Sequence, residues 1–592
     1  MCGIVGGIGQ FPIRDYLING LKTLDYRGYD SAGVALAEPE GIRVFRMPGR
    51  VQALDEATPR DLHVVLGIGH TRWATHGAPT ANNAHPHTSM NGEFVLVHNG
   101  VIDNFRHLKN KLEAEGYVFH SETDTEVVAN LLEFHYNRLK NVKAAMLAMI
   151  EELQGSYALA ILKKGDLKHI YFAKNRSPLV VGHGEGKNLL ASDFLPMLKE
   201  GKDFAPILDH QYGYINEDTI KIFNEDGSVA NPKFTRPDLK IEDIGLQGYP
   251  HYMLKEIEEA PAVVRRLIDN YFDGNQFLFD PKLINKLKAA DDIIFIACGT
   301  SYHACLIGRR YMEYLGKRSE VYIASEWAYH PFVSAKNPMF VIVSQSGETA
   351  DLIRCMEIIN SRGAVSLTIT NTKGSTLERD ATYSLLLFAG VEIAVASTKA
   401  YVAQVALLSL LTGAMDDSTA VVSHLYDVIK AENAVIANSE SLKPTAKYLS
   451  GKKDVFFLGR GTDYDVALEA SLKLKEITYI HSEGLPGGEL KHGPIALIEK
   501  DTPVIGFISD PLTDLPIRSN FKEVEARGAT VITVVSKSLA KAGDAITVPD
   551  VKEYLSPLVK VLIAQYLAYF AALELKVNID KPRNLAKSVT VE

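Results

Sequence analysis

The 592-residue chain predicts an α/β protein overall: an N-terminal α+β domain, then two duplicated α/β parallel-sheet domains. Three observations carry that prediction. From residue 1 to about 225, short strand-like runs come in clusters separated by helical stretches. Beyond a polar stretch around Asn224–Leu246 that holds Gly227, Pro232 and Pro237, strand–loop–helix units repeat. That second part is also internally duplicated. Ile293–Ser301 (IIFIACGTS) matches Val455–Asp463 (VFFLGRGTD) at an offset of 162, Arg362-Gly-Ala recurs as Arg527-Gly-Ala at 165, and Gln404 recurs as Gln565 at 161. Landmarks in constant order at nearly constant spacing mean one fold present twice.

The resulting domains are 1–225, 247–425 and 426–575, with a linker at 226–246 and a C-terminal tail at 576–592. In the first domain, brief apolar or alternating runs predict strands at Val34–Ala37, Ile42–Met47, Glu93–His98, Ser156–Leu162 and His169–Ala173. Longer stretches predict helices at Asp124–Leu139 and Val142–Leu153. In the duplicated part, Ala400–Met415 and Val561–Leu573 are shorter than the roughly 20 residues of a membrane span, and each holds a glutamine, so they read as buried helices. Asp416–Glu440 carries no interpretable motif.

Composition narrows the function classes. Hydrophobic and charged contents of 46% and 23% are those of an ordinary globular protein. A net charge of −9 argues against nucleic-acid and membrane partners, which need a basic face. Four cysteines (Cys2, Cys298, Cys305, Cys355) form no CxxC pair, and no basic flank precedes the short apolar start; a reducing, cytoplasmic location is expected.

Cys2 follows the initiator methionine directly, and its small side chain favours methionine excision. One residue would then carry a thiol and a free α-amine with ordinary pKa values of about 8.5 and about 8, so the amine can serve as the thiol's base. That is the logic of an N-terminal nucleophile hydrolase. In the first duplicated copy, Cys298-Gly-Thr-Ser301 and Ser344-Gln-Ser-Gly-Glu-Thr349 follow strands and precede helices. Helix N-termini favour anions, and the hydroxyls of Ser301, Ser344, Ser346 and Thr349 suit a phosphate, although such clusters also serve as N-caps. In the second copy Asp463 replaces Ser301, and Ile508-Ser-Asp-Pro-Leu512 lacks the hydroxyl cluster, so one phosphate site per pair is expected. The second copy instead holds Lys473 and Glu476 three apart on a helix predicted over Tyr464–Ile480, and His492 in a Gly/Pro-rich loop. A carboxylate, a lysine and a histidine can open a sugar ring and move a proton between C1 and C2. A solvated Lys/Glu pair and an incidental loop histidine are the plainer readings.

These residues carry a resemblance. The opening Cys-Gly-Ile-Val-Gly, Tyr26–Ser31, Gly69–Gly77, His98-Asn-Gly100 and Asp124-Thr-Glu126 resemble class II glutamine amidotransferases, and the duplicated half resembles sugar isomerase (SIS) domains. Together with the ending Pro582–Glu592, the whole chain resembles the glutamine–fructose-6-phosphate aminotransferase (isomerizing) family. The resemblance implies a four-layer Ntn-hydrolase first domain. It implies conversion of D-fructose 6-phosphate and L-glutamine to D-glucosamine 6-phosphate and L-glutamate, the first step of amino-sugar nucleotide synthesis, with ammonia channelled between sites. Cys2 would be the nucleophile, and Asn99 with the Gly100 N–H the oxyanion hole. Arg27, Arg72, Trp73, Thr75, His76 and Asp124 would surround glutamine. Thr300, Ser301, Ser344, Gln345, Ser346 and Thr349 would hold the phosphate, and Val395, Ala396, Ser397 and Ala586 would line the sugar pocket. Glu476 would be the proton-transfer base, with Lys473 assisting. His492 would open the ring, lent by the second subunit of a homodimer. Lys587, in a tail closing over the sugar, would contact its oxygens or assist through a Schiff base. No cofactor is implied. Although His70, His76, His85, His87 and His98 cluster in sequence, no Cys or carboxylate completes a ligand spacing, so no metal is expected. A related amidotransferase or deglycase acting on another sugar phosphate is the alternative.

Overall fold

Among the described residues, thirteen strands build the first unit: β1 (Gly3–Gly9), β2 (Ser31–Glu38), β3 (Gly41–Pro48), β4 (Leu66–Arg72), β5 (His87–Thr88), β6 (Phe94–Ile102), β7 (Gly155–Lys163), β8 (Ile170–Asn175), β9 (Val180–Gly184), β10 (Lys187–Ala191), β11 (Asp203–Pro206), β12 (Gln211–Ile215) and β13 (Ile220–Phe223). The computed structural model describes residues 2–25, 27–73, 76–236 and 244–590. The chain divides into two units, Met1–Glu242 with Ala586–Glu592, and Asp243–Leu585.

In the first unit the strands form a seven-stranded sheet, β11-β9-β10-β1-β4-β2-β3, and a six-stranded sheet, β13-β12-β8-β7-β6-β5. Strand side chains alternate between faces, and β6 and β7 show what that alternation accomplishes. Val95, Val97, Ala158 and Ala160 meet Ile4, Ile8 and Ala35 of the other sheet, whereas Phe94, Leu96, Tyr157 and Leu159 face the helices Asp124–Leu139 and Val142–Glu152. Helix Ile13–Thr23 covers the outer face of β1 and β4. The layers are therefore helix, sheet, sheet, helix. The predicted strands and the two long helices are present, but Ile13–Thr23 and Phe105–Ala114 are helices as well. The second of these is anchored by only two buried residues four apart, Leu108 and Leu112, a stripe too sparse to stand out in the sequence.

The second unit holds two five-stranded parallel sheets. One contains β14 (Asp292–Ala297), β15 (Arg318–Ile323), β16 (Pro338–Ser344), β17 (Ser366–Thr370) and β18 (Tyr383–Leu386), in the order β15-β14-β16-β17-β18. The other contains β19 (Asp454–Gly459), β20 (His481–Pro486), β21 (Pro503–Ile508), β22 (Thr530–Ser536) and β23 (Ile546–Val548), in the order β20-β19-β21-β22-β23. The permutation is the same in both, so the duplication seen in sequence extends to topology. The apolar stretches form helices Lys399–Met415 and Ser556–Glu574, buried on nearly every side. With the turn before it, from Glu553, the second is long and apolar enough to cross a membrane, yet its most apolar 18-residue stretch is buried throughout inside the fold. Their shared glutamines find partners there: Gln404 Nε2 donates to Ser301 Oγ at 2.8 Å, and Gln565 Nε2 to the Thr398 carbonyl at 3.4 Å.

The copies differ most at the position of Ser301. Its counterpart Asp463 is buried, and its carboxylate accepts the Ser509 N–H at 2.8 Å, the Ser509 hydroxyl at 2.7 Å and the Lys560 ammonium at 3.2 Å. Burial pulls the Lys560 pKa down, against the opposing pull of Asp463. A buried charge stripped of its partner is strongly destabilising. Lys560→Met should therefore cost about 3–5 kcal/mol in urea denaturation, and adding Asp463→Asn should recover most of the loss. An unfolding midpoint unmoved by Lys560→Met would contradict this pairing.

Candidate functional site

The first candidate site forms where β1, β4 and β6 come together. Cys2 immediately precedes β1, which pairs antiparallel with β4 through Gly3 and Thr71, so Arg72 and Trp73 at the end of β4 lie beside it. The Trp73 N–H points at Cys2 Sγ from 3.4 Å, and the thiol faces the Trp73 carbonyl at 3.6 Å. Burial pushes the Cys2 thiol up, against the pull of the Trp73 backbone and the positive charge of Arg72. Asn99 reaches over from β6: its Nδ2 donates to the Cys2 carbonyl at 3.1 Å and to Ser192 Oγ at 2.7 Å.

The orientation of that amide is set by His70, one of the five histidines that cluster in sequence without a metal-ligand spacing. His70 Nε2 lies 2.9 Å from the His98 carbonyl and 3.1 Å from Asn99 Oδ1. A carbonyl only accepts, so His70 carries its proton on Nε2 and turns the Asn99 NH₂ toward Cys2. Burial drives the His70 pKa down to about 3, keeping the ring neutral. Gly100 follows with φ +133°, and a Cβ there would lie 2.0 Å from the Ser156 carbonyl oxygen. Only glycine fits.

The other residues are placed as follows. Asp124 opens helix Asp124–Leu139 behind the N-cap Thr123, and its carboxylate accepts the Ile102 N–H at 2.9 Å. The Arg72 guanidinium donates to the carbonyls of His76, of Gly77 at 3.1 Å and of Ala78 at 3.4 Å. Arg27 pairs with Asp193 at 2.9 Å. His76 sits edge-on to Phe105 at 5.1 Å. Thr75 lies outside the described residues. Among the described residues, no group of three or more His, Cys, Asp and Glu is placed to hold a metal ion. The histidines pack on one another instead, with the His70 and His85 rings stacked at 4.1 Å.

The second candidate site lies at a topological switch point. β14 is flanked by β15 and β16, the chain passing first to one side and then to the other, and the carboxyl ends of such strands border a crevice. Ser301 sits in the first turn of helix Gly299–Tyr314 after β14, and Ser344–Thr349 runs from β16 into helix Ala350–Ser361. Neither helix start is capped by a side chain, so the N-cap reading of these hydroxyls does not hold. Instead Ser344 Oγ accepts the Gly347 N–H at 3.1 Å and lies 3.2 Å from Thr349 Oγ1, while Ser346 Oγ accepts the Glu348 N–H at 3.2 Å. Gln345 lends its carbonyl to the Asn371 N–H at 3.1 Å.

A third loop is fixed by carboxylates. Val395 N–H donates to the Asp580 carbonyl at 2.9 Å, and Glu392 accepts Ser397 Oγ–H at 2.9 Å and Thr398 N–H at 2.9 Å. Lys473 and Glu476 form a 2.6 Å ion pair on helix Thr462–Thr478. Lys473 is fully buried; burial favours its neutral form, but the carboxylates of Glu476 and Glu469 outweigh that and keep the ammonium charged. Lys473 also donates to Thr300 Oγ1 at 2.9 Å, which joins the two copies. His492 ends the turn Gly487–His492 after β20 and is exposed. Beyond Asp580, the Arg583 N–H donates to Tyr479 Oη at 2.7 Å, at the end of the helix that bears Glu476. Ala586 and Lys587 follow, both half-buried. The sequence reading did not single out Glu469, although its spacing of four and seven residues before Lys473 and Glu476 puts all three on one helix face.

Comparisons with known proteins agree with both halves. A glutamine amidotransferase domain matches residues 70–199, and the SIS domain matches 286–414 and 448–575. This is a glutamine amidotransferase joined to a pair of SIS domains. Over its full length the chain is 46% identical to the glutamine–fructose-6-phosphate aminotransferase (isomerizing) of Staphylococcus aureus (strain COL), covering 100% of both, and 45% identical to that of Staphylococcus epidermidis (strain ATCC 12228), again covering 100% of both. The C-terminal domain of glucosamine-fructose-6-phosphate aminotransferase from Francisella tularensis is 34% identical, covering 57% of this chain and 99% of that one, with a TM-score of 0.54. A solved structure from Silicibacter pomeroyi DSS-3, 24% identical over 56% of this chain and 100% of that one with a TM-score of 0.50, shares the fold. The chain belongs to the glutamine–fructose-6-phosphate aminotransferase (isomerizing) family.

Two variants test the first site. Gly100→Ala should abolish glutamate release, because the backbone cannot hold its place with a Cβ 2.0 Å from Ser156. His70→Phe, which lets the Asn99 amide turn, should lower the rate by about 10²–10³, the range for losing one oxyanion donor. Wild-type glutamine hydrolysis in either variant would contradict the assignment.

Proposed function

We infer that this chain converts D-fructose 6-phosphate and L-glutamine into D-glucosamine 6-phosphate and L-glutamate. The observation that carries the reading is the presence, in one chain, of a cysteine faced by an oriented amide and of two hydroxyl-bearing switch-point loops, one of them bonded through Thr300 to a Lys–Glu pair.

After loss of the initiator methionine, the Cys2 α-amine takes the thiol proton and the thiolate attacks the glutamine carboxamide. Asn99 Nδ2 and the Gly100 N–H stabilise the oxyanion, ammonia leaves, and water hydrolyses the thioester to glutamate. Asp124 holds the substrate ammonium, with Arg72, Arg27, Trp73, Thr75 and His76 around the rest. Ammonia protonated in bulk water is no nucleophile, so it must pass to the sugar shielded from solvent. Ser301, Ser344, Gln345, Ser346 and Thr349, with the Thr300 backbone, hold the sugar phosphate, and Val395, Ser397 and Ala586 line the sugar. His492 opens the ring. Ammonia adds to the C2 carbonyl and water leaves; Glu476 then removes a proton from C1 and returns one to C2, giving the 2-amino aldose. Lys587 contacts the sugar oxygens or forms a Schiff base at C2.

A homodimer that shares His492 fits the surface around that residue. Helix Pro511–Glu525 packs against the His492 turn and exposes Leu512 and Leu515, and Leu497 is exposed in the next turn. Large apolar side chains grouped around an exposed catalytic-type histidine suit a second copy of this chain. The four cysteines, all free, suit a reducing cytoplasm.

The test measures glutamate and glucosamine 6-phosphate together, from glutamine with and without fructose 6-phosphate. The expected result is equal rates of both products, with glutamate release rising when the sugar is added. Cys2→Ala should abolish both products and leave fructose 6-phosphate binding intact. Glutamate alone, indifferent to the sugar, would overturn the reading.

A further inference from the structure

The proposed base Glu476 is connected to the first copy by a buried chain of polar groups that ends at His303. The Lys473 ammonium has three neighbours: Glu476 at 2.6 Å, Thr300 Oγ1 at 2.9 Å and Glu469 at 3.5 Å. Glu469 is fully buried as well. One of its oxygens accepts the Thr300 hydroxyl at 3.1 Å, and the other faces His303 Nδ1 at 2.7 Å. A carboxylate only accepts, so His303 carries a proton on Nδ1. The single proton of Thr300 goes to Glu469, and its oxygen accepts from Lys473. Each proton in the chain thus has one place, and its two ends reach the surface: His303, with 14% of its side chain exposed, and Glu476, with 20%.

We propose that Glu469, fixed by His303, is a positioning residue for the sugar isomerisation: it shares the charge of Lys473 so that Glu476 stays free to take a proton, and through Thr300 it sets the phosphate loop of one copy against the base of the other. The inference rests on the reading of Glu476 as base. Alone with Glu476, the Lys473 ammonium would direct its whole attraction at the carboxylate that has to take the proton. A second carboxylate on the far side divides the ammonium's attraction. It can do so only while ionised and correctly aimed, which the short contact from His303 secures. Removing His303 leaves Glu469 with the Thr300 hydroxyl and the more distant Lys473 alone.

The role requires a donor at the Nδ1 position, not an imidazole. The amide nitrogen of asparagine occupies nearly that position, so His303→Asn keeps the contact and His303→Leu removes it. The experiment measures amino-sugar formation by both variants in the full-length enzyme, with glutamate release from glutamine alone and fructose 6-phosphate affinity as controls that both units are folded. The expected result for His303→Leu is a kcat lower by about 10–100-fold, part of the range general-base catalysis supplies, with the KM for fructose 6-phosphate and the basal glutamate release unchanged. His303→Asn should retain most of the wild-type kcat. Glu469→Gln, which keeps shape and loses charge, should fall as His303→Leu does. Equal kcat values in His303→Leu and His303→Asn, or a wild-type kcat in Glu469→Gln, would overturn the inference. An unaltered enzyme that makes no amino sugar would overturn the functional reading first, and this inference with it.

Discussion

A lysine buried with its charge imposes the main constraint on the second unit. Lys473 has no access to solvent, so its ammonium must be matched by protein groups or lose its proton. The groups that match it come from both copies of the duplicated fold: Glu469 and Glu476 from its own helix, and Thr300 from the loop after β14. The two sheets therefore cannot shift against one another without stranding a buried charge. The same contacts hold the loop proposed to bind phosphate and the carboxylate proposed to move a proton in register, so the constraint that fixes the fold also sets the geometry of the proposed chemistry.

Duplication supplied two copies of one fold, and their switch-point loops have diverged. In the first copy Ser301 is an uncharged hydroxyl oriented by Gln404, with Ser344, Ser346 and Thr349 nearby on the adjoining loop. In the second copy the Asp463 carboxylate occupies the matching position and takes up the Ser509 N–H, the Ser509 hydroxyl and the Lys560 ammonium. The second copy thus carries its own anion, bonded to groups that would otherwise meet a phosphate. Its helix Thr462–Thr478 carries Glu476, the base proposed for its neighbour's site. This division of labour explains why one fold appears twice in a chain proposed to bind one sugar.

Much of this was legible in the sequence because it depends on local pattern. The duplication, the two hydroxyl loops, the Lys473–Glu476 pair and the strands of the first domain are all set by residues close together in the chain. What escaped depends on strand register and on contacts between distant segments. His70 orients Asn99 only because β4 and β6 meet across the two sheets, 29 residues apart in sequence. His303 meets Glu469 across 166 residues. The Arg72 guanidinium is turned to three backbone carbonyls of the loop after it, an arrangement no side-chain pattern announces. Helix Phe105–Ala114 lacked a signal for a different reason: two buried leucines suffice where neighbouring helices complete the layer.

The most direct test of the division of labour is a calorimetric titration of fructose 6-phosphate into Glu476→Gln, run beside measurement of solvent deuterium entering C1 of the bound sugar. The account predicts one sugar per chain, bound with nearly wild-type affinity, no deuterium exchange, and weaker binding when Ser346→Ala is added. Two sugars per chain, or binding weakened by Ser509→Ala in place of Ser346→Ala, would contradict it.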